Sequence, residues 1–318
     1  MTGFSVQAAA AFDPVTACWI CGGTSLTPIH RMKFDLAIYR TQDPELAAYT
    51  GCEVALCRCG SCGFAQPDAL PALPRFFDRM YDQRWSGHWI ENEFEARYKD
   101  NIFEGILRAL GQRLPPHRTR LLDVGAHAGR FVSLARSAGW TAEGLELNPQ
   151  TAAYAAKRTG ATIRQLNVHD MDLDAAGYDA ITLTDVLEHI PNPVLVLTRV
   201  GALLAPGGIV AVKVPSGPGQ LVKEKWRSRL VRGYRPSLAD NLVHVSHFSP
   251  GSLRQALERA GFTDMAIEPG APELPEDGGI RGAGSRFVRR ALHQGARLLP
   301  GGLQSPLTLN LQAYARRR

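Results

Sequence analysis

The sequence predicts an α/β fold with a mainly parallel sheet, joined to a small cysteine-rich module. Three observations carry this expectation. From Arg120 onward, short apolar runs alternate with stretches of helical periodicity, the order that builds parallel strands with crossover helices. The first such run, Leu121-Leu122-Asp123-Val124, ends in a glycine turn at Gly125 and Gly129 that opens a helix running through Ala138. All six cysteines lie in the first fifth of the chain, at 18, 21, 52, 57, 59 and 62.

Composition sets the outer limits. With 318 residues, 45% hydrophobic and 21% charged, the chain is long enough for about two packed domains. The longest apolar stretch, 194–212, is broken by Arg199, Pro206, Gly207 and Gly208, so no segment supplies the roughly 20 apolar residues of a membrane span. The first twelve residues hold an alanine run without a basic n-region, so the expected location is cytoplasmic. The net charge of +6 is local: residues 223–235 carry +5 and residues 281–318 carry +8, which leaves the rest acidic. That is not the broad basic face of a general nucleic-acid binder, and it points instead to a local anionic ligand.

The elements follow in chain order. Cys18-Trp19-Ile20-Cys21 and Cys59-Gly60-Ser61-Cys62 are two CxxC turns, each followed by glycine. Four thiolates from two such turns make a closed, tetrahedral, structural Zn²⁺ site. Buried free thiols or a redox pair are the other readings, but no βαβ context surrounds either turn. Cys52 and Cys57 are read as packing residues, Cys57 in the strand-like run Glu53 to Arg58. A region of this size has too little core to stand alone, so metal would supply folding energy. The expected divisions are a zinc-ribbon-like module at 1–74, a helical connector or cap at 75–117, and an α/β domain at 118–318. Three prolines in 67–74 disfavour regular structure there. In the connector, Phe77, Met80, Tyr81, Trp85, Trp89, Phe94, Tyr98, Ile102 and Ile106 follow a helical rhythm, most as core and a few at a substrate mouth.

In the α/β half, the glycine turn lets backbone N–H groups approach a ligand. The second strand ends at Glu146-Leu147, with Asn148 as N-cap and Pro149 at the first helical position. An acid at that strand end can accept both ribose hydroxyls of an adenosine cofactor. NAD is one candidate, weakened because Phe131 stands where GxGxxG packing wants a small residue.

At this point the pattern resembles the class I S-adenosylmethionine (SAM)-dependent methyltransferases, whose first motif reads Asp-x-Gly-x-Gly-x-Gly and here is Asp123-Val-Gly125-Ala126-His127-Ala-Gly129. The resemblance implies a Rossmann-like seven-stranded methyltransferase sheet with a small N-terminal zinc-binding domain. It implies Glu146 as the ribose acid, His169, Asp170 and Met171 as the adenine wall, and Thr184, Asp185, Glu188 and His189 as site lining at the exit of strand four. It also implies a capped helix from Ser249-Pro250 and an antiparallel seventh strand near 307–315. Bacterial members that join a zinc-ribbon-like segment to this domain resemble the chain further, and many of them act in sugar, cell-surface or natural-product pathways.

The sequence departs from the pattern in two places. His127 replaces the middle glycine, either tolerated at an ordinary negative φ or touching the methionine carboxylate. Val243 replaces a glutamate beside His244, which leaves open what orients the imidazole. A base is needed only if the acceptor loses a proton, as a hydroxyl does. The candidates are His244, His189 and His247, with Asp185 as a carboxylate alternative. Residues 217–240, with Trp226, Tyr234 and the first basic cluster, read either as a solvated helix or as a lid over an anionic acceptor. A second basic helix is expected from Arg286 to Leu299. The expected reaction is methyl transfer to oxygen on a small, sugar-like or anionic acceptor. The alternatives are RNA methylation, a non-catalytic SAM-binding module and an NAD enzyme.

Overall fold

The computed structural model describes residues 10–82, 87–172, 177–232, 242–274, 279–305 and 307–318, with backbone only at 81–82, 87–89, 228 and 279–281. The N-terminal part is a small antiparallel unit. β1 (Phe12–Pro14), β2 (Leu26–Lys33), the short α1 (Pro44–Ala47), β3 (Glu53–Cys59), β4 (Ala65–Pro67) and β5 (Ala69–Pro71) form a three-stranded sheet, β2-β3-β4, and a β1-β5 pair. The proline run therefore holds two short strands. Pro67 and Pro71 sit at strand termini, where a missing N–H costs no ladder bond.

Three helices, α2 (Phe76–Asp82), α3 (Gly87–Glu95) and α4 (Asp100–Arg113), lead to the main sheet. Ile102, Phe103, Ile106, Leu107 and Leu110 repeat at three- and four-residue steps and bury one face of α4. The sheet contains β6 (Arg120–Val124), β7 (Thr141–Leu145), β8 (Ile163–Arg164), β9 (Tyr178–Thr184), β10 (Leu204–Pro215), β11 (Phe262–Pro269) and β12 (Asn310–Arg317) in the order β11-β12-β10-β9-β6-β7-β8. β12 lies antiparallel between β10 and β11, and the pairs β10-β9, β9-β6, β6-β7 and β7-β8 are parallel. Crossovers are α5 (Arg130–Ser137), α6 (Pro149–Thr159) and α7 (Pro193–Leu203), followed by α8 (Gly217–Leu230), α9 (Pro250–Arg259) and α10 (Gly279–Leu298). α10 begins earlier than the sequence suggests because Gly279, Gly282 and Gly284 lower the helical propensity of its first turns. The predicted caps are present: Asn148 Oδ1 accepts from Thr151 N at 2.9 Å, and Ser249 and Ser252 form a capping box.

β6 to β8 step outward on one side, and the chain then returns to place β9 on the other side of β6. The crevice beyond the carboxyl ends of β6 and β9 is thus a topological switch point, where open α/β sheets bind ligands. Ile20, Cys59 and Phe64 of the small unit share one buried cluster with Val214, Phe248 and Leu253, so the unit is packed onto the flank of the sheet.

Candidate functional site

A cavity of about 620 Å³ opens at this switch point, within the range of small-molecule sites. At one end lie Asp123, Gly125, Ala126, His127, Glu146, Leu147 and Thr184. Gly125 has φ +76°, and a Cβ there would stand 2.6 Å from Val186 Cγ2, so the turn requires glycine. Glu146 is fixed by two backbone donors, His127 N at 2.8 Å and Asn148 N at 2.9 Å. Thr182 Oγ1 donates to Asp123 Oδ1 at 2.6 Å. Burial pushes Asp123 up to about 7, against the Thr182 hydrogen bond and with help from the Glu146 charge. Thr184 Oγ1 is buried with no hydrogen-bond partner among the described residues.

His127 corrects the expectation of a negative φ. Its φ is +51°, between Gly125 at +76° and Gly129 at +85°. Three alternate residues of the turn are left-handed, so a motif of glycines reflects backbone need and His127 carries the strain of a side chain there. Burial, assisted by Lys99, lowers its imidazole to about 4, so it is neutral at pH 7.

Three residues expected at the cofactor lie outside the cavity lining. Gly129 packs against α6, where a Cβ would meet Thr159 Cγ2 at 2.8 Å. Met171 is 1% exposed and sits in the core, with its carbonyl held by Arg199. Asp170 is exposed, because a 3-10 turn at Val168–Asp170 swings it outward. His169, the third residue expected in the adenine wall, does line the cavity, together with Leu166, Asn167 and Val168. The register of this wall was not legible, since it depends on a single short turn.

At the other end, β9 exits into Asp185 at φ +57° and a 3-10 turn, Leu187–His189. Asp185 is gripped by Lys99 Nζ at 2.8 Å and by Lys213. Burial opposes its ionisation, but Lys213 and Lys99 outweigh that and hold the carboxyl well below the usual carboxylate range. Lys213 is 1% exposed in an otherwise apolar strand, a lone buried charge that the sequence displays and that marks this site. Lys99, at the start of α4, carries no local signal. His189 lines the cavity and its Nδ1–H donates to Val243 O at 2.6 Å. The residue that replaces the family glutamate thus orients an imidazole through its carbonyl.

His244 stands behind His189, their ring centroids 4.8 Å apart, and is not among the cavity-lining residues. Burial and the neighbouring His189 lower it to about 3. His247 is buried, outside the lining, and its Nε2–H donates to His244 O at 3.1 Å. Glu188 is 2% exposed; burial and the Asp185 charge push it well above the usual carboxylate range. Within α8, no described residue of 223–232 lines the cavity; Trp226 is 58% exposed, and Tyr234, with the rest of 233–240, lies outside the described residues. Trp85 also lies outside them, and the side chain of Trp89 is not described. Tyr98, Lys99 and Arg97 face the cavity where the basic lid was expected.

On the flank, Cys18, Cys21, Cys59 and Cys62 converge, one donor atom from each within 4.8 Å of the others. Cys18 and Cys62 sulfurs are 3.5 Å apart and those of Cys21 and Cys59 3.4 Å. Sulfurs around one tetrahedral Zn²⁺ at 2.3 Å are about 3.8 Å apart, so the quartet fits that ion. Cys52 and Cys57 stand apart from it among the described residues.

Comparison with known proteins agrees with this geometry. A family model described as a methyltransferase domain matches residues 94–267. The ubiquinone biosynthesis O-methyltransferase of Vibrio parahaemolyticus is 34% identical over 205 residues, 62% of this chain and 84% of that protein. A protein of the same name from Cereibacter sphaeroides is 30% identical over 155 residues, which span 44% of this chain and 62% of the relative. Among solved structures, Haemonchus contortus phosphoethanolamine N-methyltransferase 2 in complex with S-adenosyl-L-methionine shares the fold, with a TM-score of 0.51 at 16% identity over 80% of this chain and 62% of that one. The seven-stranded sheet, the site at its switch point and the family match together make the chain a member of the class I SAM-dependent methyltransferases.

Proposed function

We propose that the chain methylates an oxygen of a small acceptor, sugar-like or anionic, in a biosynthetic, cell-surface or natural-product pathway. One observation carries the reading: a single cavity runs from Gly125 and Glu146 to Asp185 and His189. Similarity to ubiquinone biosynthesis O-methyltransferases supports oxygen as the target. When bound, SAM supplies an electrophilic methyl group on sulfur. Asp123, Gly125, Ala126, His127, Glu146, Leu147 and Thr184 would hold it, with Gly129 and Met171 acting through packing and Asp170 at the outer edge. Glu146 already has both oxygens aligned by backbone N–H groups and needs no rearrangement to meet a ribose.

The remaining residues treat the acceptor. Lys99 and Lys213 fix the Asp185 carboxylate, and Arg97 can take an anionic group. A neutral His189, oriented by Val243 O, faces the cavity and can receive the hydroxyl proton, with His244 behind it and His247 bracing His244. Positioning does most of the work in a displacement of this kind. Residues 1–74 would act as a Zn²⁺-stapled module, 75–117 as a cap and 118–318 as the catalytic unit.

The test is incubation with methyl-labelled SAM and a panel of hydroxylated small molecules, amines and RNA. The expected result is label at oxygen of a small molecule, with turnover in His189→Ala and His244→Ala lower by about 10²-fold or more. Label confined to RNA or to nitrogen, or full turnover in His244→Ala, would overturn the reading.

A further inference from the structure

The 3-10 turn at the exit of β9 and the loop before α9 place three metal-ligating groups together, as a cluster separate from the cysteine quartet. One donor atom from each of Glu188, His189 and His244 lies within 4.8 Å of the others. Glu188 Oε2 is buried and has no hydrogen-bond partner among the described residues. A buried carboxyl oxygen without a partner is costly, and a proton or a metal cation satisfies it. Lys213 and Lys99, the lysines whose charges act on Glu188, are both engaged by Asp185.

The histidines are prepared in a way that suits ligation. His189 gives its Nδ1–H to Val243 O, so in the neutral ring the lone pair is on Nε2. A ligand histidine whose second nitrogen donates to a carbonyl is held in one tautomer and one orientation. The loop carrying His244 is stitched to the turn carrying the other two: Val245 N and Ser246 N both donate to Glu188 O, at 2.8 and 3.0 Å, and Ser246 Oγ donates to Ile190 O at 2.9 Å. Donors around one tetrahedral ion at 2.0–2.1 Å stand about 3.4 Å apart, so the side chains draw in slightly on binding.

We infer that Glu188, His189 and His244 form a second metal site, for a divalent first-row cation, with an open coordination position toward the cavity. Two imidazoles and one carboxylate leave such a position, unlike the closed quartet of thiolates. His189 is the ligand that lines the cavity, so the position meets the acceptor end, where it takes an acceptor oxygen. This last step rests on the O-methylation reading; the metal site does not. With the cation in place, His189 and His244 serve as ligands in place of the base role, the cation lowers the pKa of the acceptor hydroxyl, and the hydroxyl proton leaves to water before the oxygen attacks the methyl group.

The experiment counts metal. Full-length protein is loaded with Co²⁺, freed of excess ion and analysed for cobalt content and visible absorption, with S-adenosylhomocysteine titrated as a fold check. The expected content is two equivalents in the wild type. Glu188→Gln, His189→Gln and His244→Gln should each retain one equivalent with thiolate-to-cobalt charge transfer intact, and Cys59→Ser/Cys62→Ser should lose that band. Diffraction at the cobalt edge on the wild type gives an independent readout, with a peak expected among the three side chains. One equivalent in the wild type, no such peak, or two equivalents in all three triad variants would overturn the site. Two equivalents without oxygen methylation would instead overturn the functional reading and leave the metal site standing.

Discussion

Asp123 couples the cofactor end of the cavity to pH. Its folded pKa, raised to about 7 mainly by burial, lies above the ordinary carboxylate value. Between those two values the folded chain holds a proton that the unfolded chain has released, so this group's contribution to stability falls as pH rises through that window. His127, His244 and His247, each lowered mainly by burial, act in the opposite sense at the acid end. The difference between wild type and Asp123→Asn therefore isolates the carboxyl. Measured by urea unfolding without cofactor, the variant should gain on the wild type from about pH 4 to about pH 7, by up to about 1.4 kcal/mol per pH unit. A difference that is flat across that range would show that Asp123 stays ionised. At this scale the sequence was legible where chemistry is local: Glu146 was found by its place at a strand end. His127 was found too, but its left-handed backbone was not, because a φ sign depends on the whole turn. Lys99 had no signal at all, since it meets Asp185 across 86 positions of chain.

Elements read best where one βα unit explains itself. The strand-turn-helix at Leu121 to Ala138, the Asn148-Pro149 cap, the Ser249-Pro250 cap and the body of α10 were all legible, and the first turns of α10 and the 3-10 turn after β8 were not, because glycines or short length blur their periods. The link between the small unit and the histidine loop was also out of reach, because it joins distant segments. β4 bridges to that loop through Ala65 N to His247 O at 3.1 Å and His247 N to Ala65 O at 2.9 Å. Phe64 packs on Phe248 with ring centroids 5.1 Å apart, and Arg259 holds Ile20 O at 2.7 Å. Cys59 ends β3 and Cys62 lies between β3 and β4, so with Zn²⁺ held by the quartet, its loss should loosen β4 and, through it, His244 and His247. The cofactor end is anchored on β6 and β7 instead. Cys59→Ser/Cys62→Ser should therefore lose turnover by more than about tenfold while S-adenosylhomocysteine affinity, measured by calorimetry, changes less than about threefold. Equal losses in both would mean that the module holds the whole fold rather than the acceptor end.

On the scale of the molecule, the fold class followed from alternation, and the charge was legible in amount but not in placement. The basic segment at 223–235 was a candidate acceptor lid; as α8 it exposes Lys223, Lys225, Arg227 and Arg229, none of which lines the cavity. The cations that do reach the cavity are Arg97 and Lys99 of the connector and Arg130 of α5, which pairs with Asp100 of α4, and Lys213 supports it from within the sheet. The sequence hid this because helices α3 and α4 fold back over the sheet: Phe94 meets Tyr154 at 6.2 Å and Arg158 pairs with Glu95 at 2.6 Å, contacts made across some sixty positions of chain. Exposed charges on α8 act on a ligand in the cavity only through screened, long-range fields. Lys99 acts in direct contact with a half-buried carboxylate, and removing one partner of such a group leaves uncompensated charge. Replacing the four α8 cations with Gln should thus leave kcat/KM for the acceptor within about twofold at physiological salt. Lys99→Met should lower it by about 10²-fold, equivalent to 2 to 3 kcal/mol, with S-adenosylhomocysteine binding weakened far less. The opposite ranking, a large loss from α8 and a small one from Lys99, would place the acceptor under α8 and return the basic segment to the role of a lid.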